Sequence, residues 1–404
     1  MAEPERNISL VRARELIGKH VTTLGTEAVP LDRALGRVLA TPVCADRDQP
    51  AFDRVTMDGI AIQYREGQQC WHVRGVQFAG ETPLRLKDSG DCVQVMTGTQ
   101  LPEGADTVIP IEWLQGKSSE FHLLPSSTVE FGQMVHRKGS DCRTGDPLIP
   151  EGTLLNAAAW SLCASVGATQ LQVKRLPRIA FVSTGNELVD VSEIPGAQSI
   201  RRSNDRVVAA ECAKAGLSLH ACIHLPDDPG VIETTLHRLL GEVDWVVFSG
   251  GVSMGKADHI PDCVRHCGFE ILFHKVRQKP GGPLLFAKHA SGCGLLGLPG
   301  NPVSSLVCSR LYLRLIFQYQ SGFPLGDSWV PLAEPGPDDS EKTRLLPVRM
   351  ERSPQGDIRV RPVPTNTSGD MVSVIHSDGL LILPPVNERS SDPHPALEFL
   401  NWNT

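Results

Sequence analysis

Short apolar runs alternate with helical segments from Pro177 onwards, and this alternation limits the fold more than any other feature of the chain. The runs Ile179–Ser183, Ser218–Leu225 and Trp245–Ser249 have the length of strands, and Asn204–Ala215 between them has the features of a helix. Strand–helix alternation is typical of a mostly parallel sheet. The third run is apolar up to its last residue, as expected for a strand covered on both faces. The sequence therefore predicts a central α/β domain.

The chain has 404 residues, which is more than one hydrophobic core accommodates, since single cores stop growing at about 250–300 residues. We predict a multidomain α/β protein in which residues 177–326 form the central domain with its mostly parallel sheet. A β-rich inserted domain is predicted over 46–141, and residues 1–45 and 142–176 are predicted to form one discontinuous α+β domain. The proline-rich remainder, residues 327–404, contains short β-type runs and is predicted to form a small β-barrel.

Three more helices are predicted from local pattern. Asn156–Val166 is followed by Gly167, a typical residue after a helix end, and Pro302–Gln320 is a long apolar segment. A further helix is predicted from Leu31, because apolar residues recur there at helical spacing. The residues of that pattern are Leu31, Ala34, Leu35, Val38 and Leu39.

Charge and hydropathy exclude several classes of protein. A net charge of −7 argues against a general nucleic-acid-binding role, which needs a basic face. No apolar run approaches the ~20 residues that span a bilayer, and no N-terminal signal pattern is present. We therefore expect a cytoplasmic protein that binds neither nucleic acid nor a membrane.

The eleven cysteines are scattered, with no Cys-x-x-Cys motif. Cys263 and Cys267 lie at helical spacing from His259, which could form a metal-binding face. Free cysteine is commonly buried like a small apolar residue, so we predict reduced, structural thiols.

Three of the predicted strands end in glycine-rich loops, over Ser183–Glu187, Ser249–Asp258 and Leu298–Ser305. Ligands of open α/β sheets bind beyond the carboxyl ends of strands, where glycine lets backbone N–H groups approach an oxyanion. One such loop could reflect only the steric needs of a tight turn, but three in one domain favour a ligand site. Neither the P-loop nor the G-x-G-x-x-G fingerprint is present, so an ordinary kinase, NTPase or NAD dehydrogenase is not expected.

The stretch Ile271–Gly326 contains no Asp or Glu but several basic residues. Lys275, Arg277 and Lys279 lie two apart near a predicted strand end, and residues two apart on a strand share a face. We predict that they form a clamp for an oxyanion, although any one of them could be a solvated surface residue.

Three acidic residues follow strand ends in the same domain, namely Glu187, Asp227 and Asp258. Their hard oxygen ligands suit Mg²⁺, which proteins often share with substrate phosphates. For Asp227 a role as a helix N-cap or turn residue is an equal alternative.

Seven motifs occur in order along almost the whole chain. They are Met57–Gly59, Met96–Gly98 with Pro102–Asp106, Gly139–Asp141, Ser183–Leu188, Ser249–Ser253 with Gly255–Asp258, Lys279–Gly281 and Leu298–Val303. In this set the chain resembles the MoeA family of molybdopterin molybdenumtransferases, which is related to the C-terminal (E) domain of gephyrin.

The resemblance implies that molybdate is inserted into adenylylated molybdopterin, giving the molybdenum cofactor and AMP with the help of Mg²⁺. It also implies a homodimer whose site is shared across subunits, and a third domain similar to the molybdopterin adenylyltransferase (MogA) fold. A separate molybdopterin adenylyltransferase would be the upstream donor of the substrate.

Site residues are implied by the same motifs. The catalytic set is Asp58, Thr97, Asp141, Asp227, Lys275 and Lys279. The metal ligands are Glu187 and Asp258, the two lysines hold molybdate, and Asp58 and Thr97 reach a site on the partner subunit. The residues implied to bind the pterin and its adenylate are Thr184, Gly185, Asn204, Gly250, Gly251, Ser253, Gly255, Pro280, Gly281, Pro299, Gly300 and Asn301.

The sequence departs from the family pattern at Val55, Asn186, Arg202, Gly282 and Asp370. Because the central acids and both lysines are retained, we expect an active enzyme. A molybdopterin adenylyltransferase is one alternative, and the additional domains argue against it. A non-catalytic gephyrin-like scaffold is the other, and the chain lacks the long linker and fused adenylyltransferase domain that would support it.

Overall fold

A seven-stranded sheet forms the centre of the α/β domain in the computed structural model, which describes residues 3–117, 119–252, 258–324, 328–333, 341–389 and 395–403. Its strands are Glu5–Ile8, Ile179–Thr184, Ala221–Leu225, Trp245–Ser249, Phe269–Val276, Leu285–His289 and Gly294–Leu298. A separate short parallel pair joins Leu188–Val189 to Ile200–Arg201.

Four neighbouring strands of this sheet run parallel. Across the sheet their order is Gly294–Leu298, Trp245–Ser249, Ile179–Thr184 and Ala221–Leu225. Every residue of Trp245–Ser249 is buried, as its apolar sequence predicts for a strand covered on both faces. The predicted mostly parallel sheet is confirmed, and three glycine-rich loops leave it from adjacent strands.

Helices cover both faces of the sheet. They are Leu10–His20, Asn204–Lys214, Pro229–Leu239, Ile260–His266, and a continuous run made of Pro302–Cys308, a π-helical segment Ser309–Leu313, and Arg314–Ser321. The predicted helix over 302–320 is thus present but contains a π segment. None of the helices in the described residues has the length and apolar character needed to cross a membrane.

The N-terminal segment belongs to the α/β domain, in contrast to the prediction that all of 1–45 joins 142–176. Glu5–Ile8 pairs in parallel with Phe269–Val276. The helix Leu10–His20 begins at a cap in which the Ser9 side chain accepts a hydrogen bond from the Arg12 N–H. It buries Leu10, Ala13, Leu16 and Ile17 in the core of the sheet. This burial attaches the segment to the α/β domain.

The discontinuous domain begins at Thr26–Pro30, which pairs with Gln170–Lys174. Val43–Cys44 pairs with Pro147–Ile149, and the helix Ala157–Ser165 is capped by the Asn156 side chain. The two distant stretches therefore share one core, as predicted.

The helix predicted from Leu31 is wrong. Only Leu31–Arg33 forms a 3₁₀ turn, and the chain beyond it is not helical. Val38 and Leu39 form isolated bridges to Leu154 and Val173, respectively. The apolar spacing is therefore satisfied by pairing with distant segments rather than by a helix face.

The inserted domain is β-rich, as predicted. Its six-stranded sheet consists of Gly59–Ile62, Cys70–Gln77, Asp91–Val95, Thr107–Pro110, Leu114–Lys117 and Glu120–Leu123. A 3₁₀ turn, Ile111–Trp113, precedes the fifth strand, and Arg54–Val55 pairs separately with Val135–His136.

The C-terminal domain consists of Ser328–Pro331, Thr343–Arg352, Ile358–Pro362, Gly379–Leu383 and Ala396–Asn401, with the short helices Met371–Val374 and Val386–Glu388. A bridge between Leu332 and Val360 joins its first and third strands and closes the predicted barrel. Gln278–Lys279 of the α/β domain adds a sixth strand, in parallel with the start of Thr343–Arg352.

A buried ion pair supports the contact between these two domains. Arg310, in the π segment, is 0% exposed, and its Nη1 lies 3.0 Å from Glu211 Oε2, whose side chain is 3% exposed. The guanidinium also donates to the carbonyl oxygen of Asn401 in the barrel. Glu211 therefore neutralises the Arg310 guanidinium, which is buried where its own helix meets the helix Asn204–Lys214 and the barrel.

We predict that Glu211→Gln destabilises the protein by about 3–5 kcal/mol, because it removes the carboxylate charge that lies against the buried Arg310 guanidinium. Calorimetric unfolding measures the effect. Glu15→Gln is the matched control, since Glu15 forms an exposed pair with Arg12 and such pairs contribute at most about 1 kcal/mol. Equal unfolding temperatures for the two variants would show that the buried pair has no special role.

Candidate functional site

A cavity of about 770 Å³ opens at the carboxyl ends of the four neighbouring parallel strands. The α/β domain supplies its glycine-rich and acidic side, and the C-terminal barrel supplies the opposite side. This is where the sheet topology predicts a ligand site.

Two glycines allow close contacts in the cavity wall, one within a loop and one between two loops. Gly185 has φ +146, and a Cβ there would lie 2.8 Å from Glu187 Oε2, so glycine leaves room for the Glu187 carboxylate. Gly250 has φ +95, and a Cβ there would lie 2.7 Å from the Thr184 carbonyl oxygen. A side chain at Gly185 would displace the Glu187 carboxylate within its own loop, and one at Gly250 would separate its loop from Thr184, so either would alter the cavity wall.

Two asparagines tie the loops together. Asn204 Nδ2 donates to Ser249 Oγ at 2.7 Å and to the Gly300 carbonyl oxygen at 2.8 Å. Asn301 Nδ2 donates to Ser368 Oγ of the barrel at 2.7 Å. Asn204 thus lies behind the cavity wall and positions it, whereas Asn301 lines the cavity.

Three carboxylates line the acidic side: Glu187, Asp227 and Asp258. The N-cap of the next helix is Asp228, which accepts from the Val231 N–H at 3.0 Å, so Asp227 does not serve as that cap. Asp227 Oδ2 accepts from the Asn186 N–H, and Asn186 Oδ1 accepts from the Asp227 N–H, both at 3.2 Å. Asn186, which departs from the family pattern, therefore positions the Asp227 carboxylate.

The basic side of the cavity is formed where two domains pair. Lys279 lies directly opposite Arg344 in the parallel register, and Lys342 lies two residues before Arg344. All three residues line the cavity. Like charges directly opposite each other on paired strands are unfavourable, so this arrangement suits an anion that binds between them.

Of the predicted clamp of Lys275, Arg277 and Lys279, the structure places Lys279 on the wall of this cavity. Lys275 has φ +75 and is not among the described residues that line the cavity. Arg277 lines a different cavity, together with Arg14. Only Lys279 of the three reaches the main site within one chain.

The basic residues of the barrel were missed from sequence. Lys342 and Arg344 belong to a strand whose partner, Gln278–Lys279, lies in another domain, and local pattern does not reveal such a pairing. The polar run Thr365–Ser368 also lines the cavity. Its four consecutive hydroxyl and amide side chains are the feature of the sequence that could have indicated a binding segment.

Several residues implied by the resemblance do line the cavity. They are Thr184, Gly185, Gly250, Gly251, Pro280, Gly281, Pro299, Gly300 and Asn301. The Thr184 hydroxyl is buried and has no hydrogen-bond partner among the described residues. Ser253 and Gly255 lie outside the described residues.

Asp58, Thr97 and Asp141 lie in the inserted domain, which supplies none of the described cavity-lining residues in one chain. Asp58 Oδ1 accepts hydrogen bonds from the Thr97 N–H and from Thr97 Oγ1, both at 2.7 Å. Asp141 Oδ1 lies 2.7 Å from His136 Nε2. The structure thus brings Asp58 and Thr97 together and leaves them exposed.

The remaining departures from the family pattern have ordinary places in the structure. Val55 is buried in the core of the insert, and Gly282 lines the cavity. Arg202 forms an ion pair with Asp190. Asp370 Oδ2 accepts from the Ser373 hydroxyl at 2.6 Å and thereby holds the loop that follows the polar run.

Cys263 and Cys267 are buried, with thiols that donate to the carbonyl oxygens of Pro229 and Glu233. Burial raises the pKa of both thiols to about 11. The prediction of structural thiols is therefore confirmed for this pair.

Comparison with known proteins covers the whole length of the chain. Three family models match: "MoeA N-terminal region (domain I and II)" over residues 8–167, "Probable molybdopterin binding domain" over 180–318, and "MoeA C-terminal region (domain IV)" over 330–391. The matches follow one another in the order of the domains.

Curated relatives and solved structures agree. The chain is 35% identical to a molybdopterin molybdenumtransferase of Synechocystis sp., over 98% of this chain and 100% of the relative. It is 32% identical to that of Synechococcus elongatus, over 89% and 91%. A crystal structure of the molybdopterin biosynthesis MoeA protein from Pyrococcus horikosii matches with a TM-score of 0.77 and 27% identity, covering 98% of this chain and 99% of that one.

The two hydrogen bonds from Thr97 hold the pKa of Asp58 below its ordinary value. We predict that Thr97→Ala, which removes only the hydroxyl bond, raises that pKa partway, whereas Thr97→Ser leaves it low. A carbon-13 NMR titration of labelled aspartate carboxyls measures it. Asp48, which accepts the same two bonds from Thr144, is the internal control. An Asp58 titration that Thr97→Ala leaves unchanged would contradict the assignment.

Proposed function

The chain belongs to the MoeA family of molybdopterin molybdenumtransferases, and on that premise we propose that its cavity inserts molybdate into adenylylated molybdopterin and releases AMP. The protein then acts in molybdenum cofactor biosynthesis. The observation that carries this proposal is the division of one cavity into an acidic, glycine-rich side and a basic side. The full-length match to molybdenumtransferases does not favour an adenylyltransferase or a scaffold.

The basic side suits molybdate. Molybdate is a small oxyanion, and Lys279 and Arg344 are held in register on paired strands, with Lys342 on the same cavity wall. Arginine presents a fixed fork of donors to oxyanions, and lysine acts as a compact charge. We assign molybdate binding to these three residues, whereas Lys275 from the motif is not among the described residues that line the cavity.

The acidic side suits a divalent metal and the adenylate. Glu187, Asp227 and Asp258 offer hard oxygen ligands at the ends of neighbouring strands, so their chemistry fits Mg²⁺. Bound there, Mg²⁺ would neutralise charge on the phosphates as AMP leaves. The backbone of Gly185, Gly250 and Gly300 would then face the phosphates.

The chemistry needs no activated nucleophile in the protein. The described residues that line the cavity include no cysteine and no histidine, so a Cys–His or Ser–His pair is not available there. Insertion is a ligand exchange at molybdenum, and the residues on both sides contribute by binding and orienting two anions.

The direct test is incubation of purified protein with adenylylated molybdopterin, Mg²⁺ and micromolar molybdate. We expect AMP release that depends on molybdate, together with active cofactor. Lys279→Ala and Arg344→Ala should each raise the molybdate concentration for half-maximal rate about tenfold or more, because each removes a charged contact to the oxyanion.

Arg277→Ala is the matched control, since Arg277 lies two residues from Lys279 but lines the other cavity. Its molybdate dependence should equal that of the wild type. An equal effect of Arg277→Ala and Lys279→Ala would refute the assigned contacts, and failure of the wild type to release AMP would refute the function.

We further propose a homodimer in which Asp58, Thr97 and Asp141 of one subunit complete the cavity of the other. The reason is that these motif residues lie in the insert, away from the cavity of their own chain. Cytoplasmic location and supply of the substrate by a molybdopterin adenylyltransferase also remain our proposals.

Mixed dimers test the shared site. Asp58→Ala and Lys279→Ala subunits should each be nearly inactive alone. After unfolding and refolding together they should regain about a quarter of wild-type activity, because half the dimers are mixed and each has one intact site. Refolding Asp58→Ala with Thr97→Ala is the control and should restore nothing. Equal results from both mixtures would exclude sharing.

A further inference from the structure

Four side chains with metal-binding groups occupy one face of the insert sheet, away from the cavity. Cys70 and His72 lie on the strand Cys70–Gln77, and Glu120 and His122 lie on Glu120–Leu123. In the antiparallel register, His122 pairs with Cys70 and Glu120 pairs with His72. The four residues therefore form a two-by-two array.

The alternation of the strands places this array on the outer face. Trp71 and Phe121, which lie between its members and pair with each other, are 1% and 6% exposed. Successive residues of a strand point to opposite faces, so the array faces solvent while its neighbours fill the core. Packing of the core thus fixes the strands that carry it.

Three of the four groups already converge. Cys70 Sγ donates to Glu120 Oε1 at 2.8 Å and lies 4.0 Å from His122 Nε2, while His122 Nε2 lies 3.6 Å from Glu120 Oε2. These ligand atoms all lie within 4.8 Å of one another. His72 Nδ1 is 3.8 Å from Glu120 Oε1.

The distances between these ligand atoms are close to those around a tetrahedrally coordinated ion, so the side chains need to move little to bind one. Zinc bonds of about 2.0–2.3 Å place tetrahedral ligand atoms roughly 3.3–3.8 Å apart. The thiol, imidazole and carboxylate groups are the ligands that Zn²⁺ uses in proteins. A half-buried thiol beside a carboxylate would alone be an ordinary surface contact, but two imidazoles in register beside them form a metal-binding set.

We propose that Cys70, Glu120 and His122 bind one Zn²⁺ ion or a similar divalent transition metal, and that His72 supplies the fourth ligand. Binding forms a bond from Cys70 Sγ to the metal and releases the thiol proton to solvent. The ion would then link two adjacent strands of the insert, Cys70–Gln77 and Glu120–Leu123. This site is separate from the cavity, so its test and that of the proposed function can fail independently.

Cobalt is the probe, because a thiolate bound to Co²⁺ gives a charge-transfer band that carboxylate sites do not give. Metal-stripped, reduced protein should develop this band with one Co²⁺ per chain, and Zn²⁺ should abolish it by displacement. Zn²⁺ should also raise the unfolding temperature. A wild-type protein without the band would overturn the proposal.

Variants assign the ligands. Cys70→Ser should lose the band, and His122→Ala should weaken cobalt binding at least about tenfold. Cys222→Ser is the matched control and should keep it, since Cys222 is an exposed thiol that donates to Asp205 but belongs to no three-ligand group in the described residues.

An undiminished band in Cys70→Ser would also overturn the proposal. If that variant does not fold, His122→Ala decides, because its exposed imidazole is not needed for packing. Unchanged cobalt affinity in His122→Ala would then be the contrary result.

Discussion

The cavity depends on a two-residue strand pairing between domains. Gln278–Lys279 pairs with Thr343–Arg344, and the buried side chain of Gln278 fixes the turn that follows. Its Nε2 donates to the Gly281 carbonyl oxygen at 3.0 Å, and its Oε1 accepts from the Tyr312 hydroxyl at 2.5 Å. Without this pairing, the basic residues of the barrel would not face the carboxylates of the sheet.

Such a pairing holds Lys279 and Arg344 side by side, so other contacts must offset their repulsion. The main core supplies these contacts, because it includes Leu345, Leu380 and Leu400 of the barrel together with Leu296 and Leu298 of the sheet. The buried Arg310–Glu211 pair lies at the same junction. Packing between the two domains thus holds Lys279 and Arg344 on one wall of the cavity.

The local sequence pattern predicts those elements whose structure depends on residues close to them in the chain. Trp245–Ser249 was recognised because a strand covered on both faces is apolar throughout, and the glycine-rich loops because tight turns limit the residue type. Pairing between distant segments was not predictable in this way. Such pairing explains why no helix forms beyond Arg33 and why Glu5–Ile8 belongs to the α/β sheet rather than to the discontinuous domain. It also explains why the place of Arg344 on the cavity wall was not predicted. A periodicity records which side chains are buried but not which segment covers them.

The same reasoning separates the two candidate metal sites that contain cysteine. Helical spacing within one segment suggests a metal-binding face at Cys263 and Cys267, yet both thiols are buried and donate to backbone oxygens. Cys70 and His122 are far apart in sequence and become neighbours only through strand register. Their array faces outward because Trp71 and Phe121 must face inward, so burial of two aromatic side chains determines where the metal-binding groups meet. A one-residue shift of register would bury those groups and expose the aromatic pair, which the hydrophobic core of the insert does not permit.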